Sequence, residues 1–216
     1  MPHGRFISFE GGEACGKSTQ IRLLAARLEA MGRTVLVVRE PGGTPLGERI
    51  RDLLKHDPAG RGMAPETELL LMNASRAELV RRVIRPALES GTCVLSDRFA
   101  DSTVAYQGAG RGLDRKVVAG VIEAATDGIR PGRTLWLRVP SAVAADRLRA
   151  RNAAAVEVTD RFEQEQRSFF DRVEQAYEAI GREEPDRFLP VDGTGAPEIV
   201  SDRIWKLVEP WVGAAD

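Results

Sequence analysis

A chain of 216 residues, 43% hydrophobic and 29% charged, carries enough apolar material for the core of one α/β domain and falls outside the globally disordered class. Its formal net charge of −1 speaks against a general nucleic-acid or anionic-membrane binder, and no apolar run approaches membrane-spanning length. Two cysteines, Cys15 and Cys93, suggest no disulfide framework and fit a reducing, cytoplasmic setting, and "MPHGR" is too short and too polar to begin a signal peptide.

Apolar strand candidates recur at 5–10 (RFISFE), 34–40 (TVLVVRE), 92–97 (TCVLSD), 134–139 (TLWLRV) and 187–192 (RFLPVD), the last weakened by Pro190. Helical periodicity fills 17–31, 45–55, 65–89, 114–126, 141–151, 160–180 and 196–209. In the first of these, Ile21, Leu24, Ala25 and Leu28 share a face and Gly32 is the stop. Alternating strands and helices predict a parallel sheet covered on both faces, with ligands beyond the carboxyl ends of the strands. No internal repeat, low-complexity tract or linker divides the chain, so 1–216 is expected to form one unit.

The stretch "GGEACGKST", Gly11 to Thr19, follows the first strand and opens the first helix. Gly11, Gly16, Lys17 and Ser18 fit G-x-x-x-x-G-K-[ST], the phosphate-binding loop. Glycines let backbone N–H groups approach a polyphosphate, and the helix N-terminus favours negative charge. Lys17 reaches the outer phosphates and the Ser18 hydroxyl is a ligand for Mg²⁺. The alternative is a glycine-rich turn with a capping serine.

The second strand runs into "REPGGT", where Arg39 precedes a charged, tightly turning loop whose Glu40–Pro41 bond has the option of cis. "LMNASRAEL" puts Met72 and Arg76 on one helix face; a surface arginine over a core methionine is the plain reading, a donor to a base carbonyl the functional one. The third strand ends in Asp97, the usual place for a Mg²⁺ partner beside a phosphate loop, followed by Arg98, suited to bidentate phosphate binding. Thr103, Tyr106 and Gln107 fall at i, i+3 and i+4, a hydroxyl, a phenol and an amide able to read a base edge or simply to meet solvent. "QGAGRG" follows as a source of mobile backbone. Arg147, Arg149, Arg151 and Arg161 surround a weakly patterned segment able to close over a transferring phosphoryl group; otherwise they form a solvated face.

Taken together, the phosphate loop, "REPGGT", "SDRFADSTVAYQGAGRG", "DRFEQE" and "VDGTG" resemble the thymidylate kinase family over nearly the whole chain. The "DR…ST-A-YQG-GRG" block is the most specific part. The resemblance implies a P-loop NTPase-type three-layer α/β fold, a five-stranded parallel sheet between helices, with a short lid at about 147–160. It implies ATP-dependent, Mg²⁺-assisted phosphorylation of dTMP to dTDP for dTTP synthesis in the cytoplasm. It implies no nucleic-acid or membrane partner and, by analogy, a homodimer. Carried over position by position, it assigns Gly11, Gly12, Glu13, Ala14, Cys15, Gly16, Lys17, Ser18 and Thr19 to ATP, and Ser18 and Asp97 to the metal. Glu13 also looks like the acid that contacts the sugar 3′-hydroxyl. The dTMP set is Glu13, Arg39, Pro41, Arg51, Met72, Arg76, Arg98, Thr103, Tyr106 and Gln107, with Tyr106 where a 2′-hydroxyl would stand. Asp192 and Gly193 resemble the loop beside adenine. The catalytic set is Lys17, Asp97, Arg98, Arg149 and Arg151.

Two positions depart from relatives. Met72 stands where many carry an aromatic residue that stacks on thymine. Ala14 and Cys15 leave the loop without the arginine that one group places there, so the lid arginines are the source of charge, as in the bacterial-type group. Another nucleoside monophosphate kinase, a deoxynucleoside kinase using Glu40 as base, and a non-catalytic nucleotide-binding switch remain as alternatives.

Overall fold

In a computed structural model, which describes residues 5–154, 162 and 165–213, β1 (Phe6–Glu10) lies at the centre of a parallel sheet. The other strands are β2 (Val35–Arg39), β3 (Cys93–Asp97), β4 (Arg133–Arg138) and β5 (Phe188–Asp192), in the order β2-β3-β1-β4-β5. Pro190 is tolerated because β5 is an edge strand, where a missing N–H leaves no ladder bond broken on the open side.

Strand alternation divides the core. Ile7 and Phe9 face the layer of α1 (Lys17–Ala30) and α9 (Pro197–Val212), where Leu24, Leu28, Ile204 and Val208 meet them. The apolar face of α1 is the one read from its periodicity: Ile21, Leu24, Ala25 and Leu28 are all buried, and Gly32 follows at φ 78°. Phe6 faces the opposite layer, with Val94, Phe99, Leu79, Ile84 and Leu88.

The helix expected over 65–89 is interrupted. α3 (Pro65–Leu79) gives way to a wide π turn at Val80–Ile84 and then to α4 (Arg85–Glu89). Val80, Ile84 and Leu88 are spaced four apart, wider than 3.6, and the wide turn keeps all three buried. A second such stretch, Val104–Gly110, continues α5 (Ala100–Thr103), so "QGAG" is wound into helix and not left as loose backbone. α2 (Pro45–Lys55) and α6 (Arg115–Thr126) match expectation within a residue, and α7 (Ser141–Ala154) extends three residues further. α8 starts at Arg167 and runs to Glu183, later than the expected 160. The lid expected at 147–160 lies outside the described residues from 155 onward.

Register fixes what meets at the carboxyl edge of the sheet. Asp97 sits opposite Phe9 on one side and Arg39 on the other. The loops after Glu10, Arg39 and Asp97 therefore leave the sheet side by side.

Candidate active site

The loop after β1 is shaped by its glycines. Gly11 has φ 136°, and a Cβ there would lie 2.5 Å from the Leu137 carbonyl oxygen; Gly16, at φ 102°, turns the chain into α1. Lys17 folds back over the loop, its ammonium donating to the carbonyls of Gly12 (2.9 Å) and Gly11 (3.3 Å). The Ser18 hydroxyl donates to Asp97 Oδ2 at 3.4 Å. These two hard oxygen ligands are close enough to share one Mg²⁺. Among the described residues no group of three His, Cys, Asp or Glu side chains gathers as a metal site, so the rest of the coordination would come from phosphate and water.

Arg98 adopts a left-handed backbone, φ 71°, its N–H held by the Phe9 carbonyl at 2.9 Å. Its guanidinium donates to Ser102 Oγ (3.1 Å) and Tyr106 Oη (3.3 Å) and lies 5.0 Å from the Tyr106 ring centroid. Behind it stands Glu10, wholly buried, accepting from the Phe99 N–H (2.9 Å), Ser102 (2.6 Å) and Tyr177 (2.7 Å), with Arg98 at 3.7 Å. Burial pushes the Glu10 carboxyl above its ordinary range against the pull of Arg98. Burial alone would lower Arg98, but Tyr106, Tyr177, Glu10 and Asp97 more than offset it and hold it above its ordinary value.

The loop after β2 carries a cis Glu40–Pro41 peptide. Arg39 and Arg51 both donate to the Pro41 carbonyl, at 3.4 and 3.0 Å, which brings the two cations together; Arg39 also pairs with Glu48 at 3.0 Å, whose carboxyl it holds below the usual range. Glu40 turns inward and accepts from Nε and Nη2 of Arg76 at 2.7–3.1 Å. The remaining Arg76 donors reach Asn73 Oδ1 (2.7 Å), Thr103 Oγ1 (2.9 Å) and the Phe99 carbonyl (3.1 Å). All five N–H groups are thus engaged, and a base carbonyl would have to share a proton already given to Asn73 or Thr103. Thr103 and Gln107 are buried at the cavity wall, and Met72 and Phe170 both pack against the cluster that holds Tyr106 and Phe162.

From α7, Arg147 reaches the loop: Nη2 donates to the Gly193 carbonyl (3.1 Å) and Nη1 to the Cys15 carbonyl (3.4 Å). Arg149, two residues on, points away and pairs with Asp146 in solvent. The side chain of Arg151 lies outside those described.

One cavity of about 610 Å³ unites these elements. The loop from Glu13 to Thr19, Arg39, Pro41, Arg51, Met72, Arg76, Asp97, Arg98, Thr103, Tyr106 and Gln107 all line it, as do Arg147 and Gly193. Gly11 and Gly12 sit behind Lys17, and Arg149 is absent from the wall. A cationic cleft beside a phosphate loop can hold two phosphate groups.

The family model for thymidylate kinase matches residues 9–204. The chain belongs to the thymidylate kinase family. It is 51% identical over 203 residues to the thymidylate kinase of Thermomicrobium roseum, covering 94% of this chain and 93% of that one. It is 46% identical over 213 residues to that of Caulobacter vibrioides, covering 99% and 100%. The crystal structure of thymidylate kinase from Ehrlichia chaffeensis superposes with a TM-score of 0.74 at 30% identity, covering 94% of this chain and 97% of that one.

Within this family frame, several contributors escaped the reading of the sequence. Glu10 and Ser102 stand behind Arg98, and Phe162 and Phe170 add aromatic rings to the wall at Met72. The two phenylalanines had a signal in "DRFEQEQRSFF", apolar rings in a charged stretch. Glu10 had none, since one acidic residue at a strand end does not announce its burial. Among the described residues no helix is long and apolar enough to cross a membrane.

Proposed function

We infer that the chain transfers the γ-phosphoryl group of ATP to the phosphate of dTMP, giving ADP and dTDP, in the cytoplasm. The observation that carries this reading is the single cavity with the phosphate loop at one end and the Arg98, Tyr106 and Gln107 wall at the other, room for a donor and an acceptor nucleotide together. A dTMP phosphate oxygen forms the new bond to Pγ as the bond from Pγ to the β,γ-bridging oxygen breaks, and the electron pair leaves with ADP. That oxygen is already anionic, so no general base is needed and the protein's work is positioning and charge neutralisation. Lys17 and the loop amides hold the ATP phosphates, Arg98 with Arg39 and Arg51 the acceptor phosphate, and Thr103 and Gln107 the base. Ser18 and Asp97 would hold Mg²⁺, which when bound supplies positive charge between the phosphates. Arg147, carried by α7 at the start of the proposed lid, is the arginine that reaches the loop.

A deoxynucleoside kinase would need a free carboxylate to take a 5′-hydroxyl proton. Glu40 is poorly suited, being buried and bound to Arg76. A homodimer would use helices α2, α3 and α6, which pack in a row and carry exposed Leu46, Leu70 and Val117; sedimentation tests it. For the activity, ADP release with dTMP, dCMP, dGMP and thymidine as acceptors decides the matter. Turnover with dTMP well above the others is expected, and none with dTMP overturns the reading.

A further inference from the structure

Glu68, on α3, is 1% exposed and does not line the cavity, yet it controls a group that does. Its Oε1 accepts from Gln107 Nε2 at 2.8 Å. Arg111 locks the carboxylate, donating from Nε to both oxygens (3.1 Å each) and from Nη2 to Oε2 (2.9 Å), while its Nη1 pairs with Glu165 at 2.7 Å. The carboxamide of Gln107 therefore has one orientation: turned over, its oxygen would face a carboxylate oxygen. Its Oε1 meets no donor among the described residues and is not sealed from solvent, on a side chain that lines the cavity. Four residues earlier, Thr103 Oγ1 accepts from Arg76, which leaves its proton for the cavity. The wall thus offers one donor and one acceptor in fixed order.

We propose that Glu68 is a positioning residue for base choice: by holding the N–H₂ of Gln107 it presents Oε1 to the base, so the site accepts a 4-oxo pyrimidine bearing N3–H and rejects a 4-amino pyrimidine. Thymine offers an acceptor at O4 beside a donor at N3; cytosine offers the reverse. The inference rests on the reading that Gln107 faces the base.

The test is Glu68→Gln, with dTMP and 5-methyl-dCMP as acceptors, which differ only in the hydrogen-bonding edge of the ring. Arg111 retains the remaining oxygen through Nε and Nη2, the new amide nitrogen faces Gln107, and the Gln107 carboxamide turns over. The ratio of kcat/KM for dTMP to that for 5-methyl-dCMP is expected to fall about tenfold or more, chiefly through the dTMP KM, with the ATP KM unmoved. Glu165→Gln breaks the outer Arg111 pair without touching Gln107 and is expected to keep the ratio, which a general loosening of this region would not. Should Glu68→Gln not fold, the double change Glu68→Met, Arg111→Met removes both charges of the pair, leaves Glu165 with access to solvent, and should lower the ratio in the same direction. An unchanged ratio in Glu68→Gln with a lowered ratio in Gln107→Ala overturns the proposal and leaves the base reading standing; an unchanged ratio in both overturns the two together.

Discussion

Replacing Arg76 by methionine is expected to cost far more stability than a single side chain usually does. Arg76 is 2% exposed and Glu40 7%, and the guanidinium supplies hydrogen bonds to Glu40, Asn73, Thr103 and the Phe99 carbonyl. Its loss leaves a desolvated carboxylate alone, and breaking a buried pair from one side costs about 3–5 kcal/mol. For a chain of this size each kcal/mol moves Tm by roughly 2–4 °C, so Tm should fall by about 6–20 °C. The double change Glu40→Leu, Arg76→Met removes both charges and should recover most of the loss, since an apolar replacement of a buried pair is often neutral or better. The deficit also has a pH sign. Burial already raises the Glu40 carboxyl above 4.5, with Arg76 drawing it down. Without Arg76 it rises further, and a raised folded pKa gives stability that is present below the unfolded value and lost as pH rises through the folded one. The Arg76→Met deficit should therefore be largest near neutral pH and shrink toward pH 4.5. Thermal unfolding of the wild type, both single variants and the double between pH 4.5 and 8 tests this. A loss under about 1 kcal/mol, the range of an exposed pair, or a double variant no better than the worse single, would refute the reasoning.

Lys17→Ala should drop kcat/KM below a tenth of wild type, a loss exceeding about 1.4 kcal/mol of transition-state stabilisation, while Tm stays close to wild type because the ammonium's partners among the described residues, the Gly11 and Gly12 carbonyls and the Cys15 sulfur, all belong to the loop itself; retained activity would remove the loop from the mechanism. Arg147→Ala should lower kcat by on the order of 10²–10³, and Arg149→Ala, on the solvent side of the same helix, by much less; steady-state kinetics at fixed Mg²⁺ reads both, and the opposite ranking would move the lid role to Arg149. Tyr106→Ala should narrow the preference for dTMP over its ribo counterpart, and equal discrimination in variant and wild type would take the sugar-sensing role from Tyr106.

Much of this was legible because the relevant constraints are local. Glycines with φ 136° and 102°, a lysine and a serine opening a helix all fall within nine residues, and apolar runs and 3.6-residue patterns mark the strands and most helices. The edge position of β5 and the wide turns at 80–84 and 104–110 were not legible, since each depends on what packs alongside. The arginines of α7 show the same limit. Arg147 and Arg149 stand two apart, on different sides of α7, and only the docking of that helix decides that Arg147 meets Cys15 and Gly193. The pairs Glu40–Arg76 and Glu68–Gln107 join residues 36 and 39 positions apart. No window of the sequence contains both partners, and a charged letter does not say whether it is buried.

Those long-range partners share a logic. Glu10, Glu40 and Glu68 are 0%, 7% and 1% exposed, and each holds a side chain of the cavity wall: Arg98, Arg76 and Gln107, with Glu10 and Glu68 behind the wall and Glu40 in it. Desolvating a carboxylate costs several kcal/mol, offset here by a guanidinium, hydroxyls or amide N–H groups. What they add is direction, because a carboxylate with fixed partners leaves its donor one orientation. Arg98 keeps its cation toward the cleft, Thr103 receives a hydrogen bond that turns its proton outward, and Gln107 shows its oxygen. The donors and acceptors are therefore aimed before any nucleotide arrives, so little reorganisation remains at the moment of transfer. It follows that neutralising these carboxylates should alter which acceptor is chosen and how well it is held before it alters the fold, provided the partner charge is removed with them.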